Sequence, residues 1–157
     1  MQSNRTVTSL ASGAIGALVL TALNEGARRG VPHAPRMEVI GMRALSAAVR
    51  ALGGRPPRGR TLYRETLGAD LLSNTIYYGL VGAGSRQTRL SRGILLGAAA
   101  GLGAVVLPPM LGLGRSPGSR RPATPLMTLA WYTAGGLAAG VVARLFDDST
   151  TPDEFSE

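Results

Sequence analysis

A chain of 157 residues fits a single compact domain. With no cysteine and one histidine, it excludes a disulfide framework, a thiolate metal site, a cysteine nucleophile and the zinc sites built from several histidines. The 22 glycines, 4% aromatic residues and 17% charged residues offer little to build a large water-soluble core and suit thin helices packed in lipid.

The first 19 uncharged residues lie between Arg5 and Glu25. A hydrocarbon core of about 30 Å needs roughly 20 helical residues, so residues 6–24 are expected to span a membrane. The run resembles a signal peptide in its charge pattern, but Thr21-Ala22-Leu23-Asn24-Glu25 makes a poor cleavage site.

A connection over 25–65 follows, with nine arginines (28, 29, 36, 43, 50, 55, 58, 60 and 64) against one in the amino-terminal tail. The positive-inside rule puts this connection in the cytoplasm, and the expected location is the bacterial cytoplasmic membrane. Within it, residues 36–52 read as an amphipathic helix stopped by Gly53-Gly54. Met37, Ile40, Leu45, Val49 and Leu52 share an apolar stripe, while Arg36, Arg43 and Arg50 recur at sevens on another face, as expected for a helix that lies in the interface and binds anionic lipid head groups. The basic stretch 50–64 has only Tyr63 as an interleaved aromatic, which argues against nucleic acid. His33, flanked by Pro32 and Pro35 and without nearby carboxylates, reads as a loop residue.

Residues 66–85 form a weaker span because they carry Asp70, Asn74, Tyr77 and Tyr78. A mid-helix Asp costs about 2.5–3.5 kcal/mol on insertion scales, and each Leu or Ile returns only about 0.3–0.6. Asp70 and Asn74 share a helix face, and Asn24-Glu25 closes the first span, so these four residues form a candidate intramembrane polar site. The plainer reading is interfacial pairing of Glu25 with Arg28 and Arg29, and of Glu65 and Asp70 with Arg64.

Two further spans are expected at 93–113 and 125–146, each in a run of 22 uncharged residues. Pro108-Pro109 should kink or end the first of them, and Trp131-Tyr132 suggest an interfacial aromatic pair in the second. Small residues recur every four positions at Gly93, Gly97 and Gly101, at Gly136 and Gly140, and at Gly13 and Ala17. Such ladders let helix backbones approach closely in lipid, either within one chain or at a seam with a membrane-protein partner or a second copy. Residues 147–157 read as an acidic disordered tail.

The expected fold is an all-α integral membrane bundle, one domain over 1–146, with about four transmembrane helices (three on a stricter count) and one interfacial amphipathic helix. With four spans, the first and third connections share a side and hold 12 arginines against 5 elsewhere, whereas with three the division is 13 to 4. Charge alone does not choose between them. No phosphate-binding loop, nucleophile–base pair, metal cluster or cofactor motif is visible. An enzyme would require Asp70, Glu25 and His33 to meet in one cavity. The leading expectation is a helix-packing accessory or scaffold subunit, and the alternative is a small oligomeric transporter or ion-permeation protein that uses Asp70 and Asn74.

Overall fold

The computed structural model describes residues 2–148, with side chains for 6–146. The expected tail over 147–157 lies beyond those side chains, and its first two residues are the end of the last helix. Every regular element among the described residues is helical: α1 (Gln2–Gly30), α2 (Met37–Ala51), α3 (Gly59–Gly79), α4 (Arg89–Met110) and α5 (Ala123–Asp148), with a short 3₁₀ turn at Arg86–Thr88.

Three segments are long and apolar enough to cross a membrane: Thr6–Gly30, Arg86–Met110 and Ala123–Phe146. The weaker run expected at 66–85 does not join them. Its helix is shifted toward the amino terminus, beginning at Gly59 and giving way to turns after Gly79, so it takes in Arg60, Arg64 and Glu65 and loses the apolar residues Leu80 and Val81. Two helices end as their glycines demand. Gly53 and Gly112 have φ of +78° and +73°, a left-handed conformation that costs glycine least. In each case a six-residue closure follows, from Gly54 N–H to Val49 O and from Leu113 N–H to Pro108 O, both 2.9 Å. Pro108 and Pro109 therefore sit in the last turn of α4 and terminate it.

α5 lies centrally, against α4 on one side and α1 on the other, while α1 also packs on α3 and α2 rests on α3. These contacts run backbone to backbone. A β-carbon on Gly97 would sit 2.6 Å from the Tyr132 carbonyl oxygen, one on Gly101 would be 2.9 Å from Leu129 Cα, and one on Gly140 would be 2.9 Å from Arg89 O. On α1, a β-carbon at Gly13 would lie 2.8 Å from Gly79 N and one at Gly16 would lie 2.7 Å from Gly135 O. The core between the helices is Leu20, Tyr78, Val81, Tyr132, Ala139 and Ala143. Tyr132 thus belongs to the bundle interior and not to an interfacial belt.

The fully buried Tyr78 hydroxyl donates to Tyr132 O at 2.7 Å, and Tyr77 donates to Leu96 O at 2.9 Å. Each tyrosine that makes 66–85 look a poor span points inward and ties α3 to a neighbour. Tyr78→Phe should cost about 1 kcal/mol, read as a lowered unfolding midpoint in mild detergent. An unchanged midpoint would remove that hydrogen bond from the account.

The connections identify the two ends of the bundle. At one end Arg28 Nη2 donates to Tyr63 Oη (3.2 Å), Arg43 Nη1 to Leu113 O (3.0 Å), Arg36 N–H to Ser116 Oγ (3.0 Å) and Thr124 Oγ1 to His33 O (2.9 Å). At the other end, a β-carbon on Gly82 would stand 2.6 Å from Ser9 Oγ, and Arg89 donates to Ala143 O. The first and third connections meet at one end, so α3 runs the length of the bundle, antiparallel to α1.

Candidate functional site

A cavity of about 40 Å³ opens between the carboxyl-terminal part of α1, the start of α2 and the first half of α3. Three carboxylates line it, Glu25, Glu38 and Asp70, together with the neutral oxygens of Thr21, Asn24, Tyr63 and Thr66. The helical repeat explains the convergence. Thr21, Asn24 and Glu25 fall at i, i+3 and i+4 on α1, and Tyr63, Thr66 and Asp70 at i, i+3 and i+7 on α3, so each set shares one helix face. α2 closes in at Gly41, where a β-carbon would be 2.6 Å from Thr66 Cγ2.

The carboxylates are not equivalent. Glu25 binds Arg28 at 2.6 Å, with Arg29 at 3.9 Å, and Glu38 is paired with Arg36. Asp70 makes no ion pair among the described residues, contrary to the pairing expected with Arg64, and the buried Asn74 stands one turn on along the same face. Three further oxygens, Thr21 Oγ1, Asn24 Oδ1 and Thr66 Oγ1, are buried without a hydrogen-bond partner among the described residues. Thr66 as a whole is only 5% exposed. Such orphaned groups cost roughly 1–3 kcal/mol each when left unsatisfied, and native interiors rarely leave three around one small space.

Asp70, Met37 and Gly41 also border a wider groove of about 430 Å³ between α2, α3 and α4, walled further by Tyr77, Ala100, Ala104, Leu107 and Tyr132. α3 and α4 touch sparsely, and the groove occupies the gap between them.

Of the residues singled out from the sequence, Asn24, Glu25 and Asp70 come together at the cavity, and Asn74 stands behind Asp70. His33 does not reach it: it occupies a turn with φ of +60° and offers its carbonyl to Thr124. The three groups that an enzyme would have required are therefore not assembled. Compared with known protein families, curated proteins and solved structures, the chain matches none. The small-residue positions Gly93, Gly97 and Gly101 face α5, Gly136 and Gly140 face α4, and Gly13 faces α3, while Ala17 is fully buried. Of the three arginines at seven-residue spacing, Arg36 immediately precedes α2 and, like Arg43, already holds protein partners, while Arg50 is exposed in the last turn of α2.

Sequence reasoning missed Thr21, Glu38, Tyr63 and Thr66. The signal available was the polar stripe Thr66–Asp70–Asn74 at four-residue spacing, extended from two members to three. It also missed Arg89, which is buried and bonded to Gly82 O, Gly84 O and Ala143 O, and which the charge count treated as one more connection arginine.

Proposed function

We propose that this chain is a four-crossing helical membrane protein that holds or passes a small polar or ionic solute at the cavity between α1, α2 and α3. The observation that carries the reading is Asp70, which among the described residues is a carboxylate without a cationic partner, beside three buried oxygens that also lack partners there. Ionisable groups at membrane depth are expensive and mark solute or proton pathways.

Four crossings are supported by the ends of the bundle. If α1 and α4 both cross and finish at the same end, the chain between them must return, and α3 is the helix that returns. Its 21 residues give about 31 Å of length. Leu72 and Ile76, each 63% exposed, face outward while Thr66, Asn74 and Tyr78 face in, the reverse of a water-soluble helix. The side that holds the first and third connections carries 12 of the 17 arginines, which favours the cytoplasmic face of a bacterial inner membrane, with anionic lipid heads near Arg50 and the arginines at 55–60. The small-residue ladders that motivate a scaffold role are directed at this chain's own helices, which weakens that alternative.

The chain has no cysteine, so single cysteines test the topology cleanly. Thr61→Cys and Arg120→Cys should resist an impermeant thiol reagent in intact cells, and Gln87→Cys should react; equal labelling of all three would reject four crossings. Reconstitution tests the task. Solute, ion or proton flux in liposomes, lost in Asp70→Asn, is the expected result. A stoichiometric unlike partner in mild detergent together with no flux would restore the accessory-subunit reading.

A further inference from the structure

We infer that the cavity is a binding site for a single monovalent alkali cation, sodium in the first instance, held by the Asp70 carboxylate and the oxygens of Thr21, Asn24 and Thr66. This rests on the reading of the cavity as a solute site and names its ligand.

The charged and hydrogen-bonding groups at the cavity all present oxygen, with no imidazole and no thiolate; the one sulfur in its lining is the Met37 thioether, a weak acceptor. Carboxylate, amide and hydroxyl oxygens suit hard cations and discriminate against soft ones. Among the described residues no three carboxylate, imidazole or thiol groups converge closely enough to hold a metal ion by themselves, so the neutral oxygens of Thr21, Asn24 and Thr66 would have to complete the shell.

Charge selects the valence. Three carboxylates line the space, and two of them are answered at close range by Arg28 and Arg36. Arg29, 3.9 Å from Glu25, is 73% exposed and directed to solvent. One negative charge is left over, and it resides on Asp70. A single positive charge neutralises it, whereas a divalent ion would leave an excess positive charge in a low-dielectric setting.

A proton on Asp70 would also remove the charge, but it would leave Thr21, Asn24 and Thr66 unsatisfied, because one O–H group cannot serve three oxygens on two helices. A cation accepts lone pairs from all of them at once. The volume agrees: about 40 Å³ takes one small ion with a water or two, since one water needs roughly 10–15 Å³ by the same measure. Thr21 and Asn24 belong to α1, Thr66 and Asp70 to α3, so a bound ion would cross-link the two helices and raise stability in proportion to occupancy.

The test is the unfolding midpoint of the full-length protein in mild detergent, titrated with sodium chloride against choline chloride at constant ionic strength and at several pH values. The expected result is a sodium-dependent rise that saturates. Thr66→Val, which keeps the shape and deletes the oxygen, should weaken the apparent sodium affinity about tenfold or more, Thr66→Ser should restore it, and Asp70→Asn should abolish the response. A midpoint indifferent to sodium, or one that tracks pH alone, overturns the cation assignment, as does a sodium response that survives Asp70→Asn. Flux in liposomes separates this from the function itself. Flux without any sodium effect on stability rejects the ion while retaining the solute pathway; sodium binding without flux retains the site and rejects permeation.

Discussion

Gly93→Ala should destabilise the protein by about 1–3 kcal/mol, the cost of overpacking, although alanine is the better helix former. The added methyl group would fall on the Gly136 carbonyl oxygen, which is backbone and cannot rotate away. α4 and α5 would have to separate along their whole contact. In lipid no hydrophobic exclusion opposes that separation, because van der Waals contact between close backbones is what holds the pair. Gly97→Leu combined with Gly101→Leu should be worse, because both β-carbons already meet α5 backbone atoms within 3 Å.

The control reverses the sign. A β-carbon on Gly68 meets nothing within 4 Å and the residue has no left-handed φ, so Gly68→Ala should stabilise by roughly 0.5–1 kcal/mol through helix propensity alone. The comparison is made by denaturant titration in detergent, with the oligomeric state recorded in parallel. If Gly93→Ala unfolds at the parental midpoint while Gly68→Ala does not rise, close backbone approach does not hold this bundle together.

What could be read from residues alone followed the physics of each helix. α1, α4 and α5 are legible because 19 to 22 uncharged residues in a row have few other solutions. α2 is legible because its glycine pair closes it where a left-handed residue is needed. α3 is partly hidden because two kinds of polar residue lower its hydropathy, the exposed Arg60, Arg64 and Glu65 near its start and the inward stripe of Thr66, Asn74 and Tyr78, and no average over a window distinguishes inward from outward polarity. The ladders were visible, but not the partner each glycine meets, since spacing gives a face and not its neighbour. At the cavity, Asn24, Glu25 and Asp70 stood out as charged or amide groups within apolar runs. Thr21 and Thr66 did not, because a threonine in a lipid-embedded helix commonly satisfies its hydroxyl on its own backbone, as Thr75, Thr128 and Thr133 do here. Only the orphaned state of those two hydroxyls singles them out, and that is a property of the fold.

Arg89→Met should cost on the order of 3 kcal/mol, since hydrogen bonds from a charged donor contribute about 1.5–3 kcal/mol each and this guanidinium serves several buried carbonyls. Arg89 is 5% exposed. Its Nε donates to Gly84 O and its Nη2 to Gly82 O, both at 3.3 Å, while Nη1 donates to Ala143 O on α5. The side chain therefore binds the turns after α3 to the far end of α5, where α3 must reverse into α4. Methionine fills a similar volume but supplies no donor, leaving the Gly82 and Gly84 carbonyls with nothing to replace it. Lysine keeps the charge and loses the planar fork, so Arg89→Lys should recover only part of the loss. A neighbouring exposed residue provides the contrast. Gln87 lies in the preceding 3₁₀ turn and is exposed, and Gln87→Met should shift the midpoint by no more than about 0.5 kcal/mol, as surface substitutions do. The measurement is unfolding in detergent for the three variants, with proteolysis across residues 80–88 as a local readout. Equal, small effects for Gln87→Met and Arg89→Met would show that the turn stands without its buried guanidinium; protease sensitivity in Arg89→Met alone would assign Arg89 the closure of the α3–α4 return.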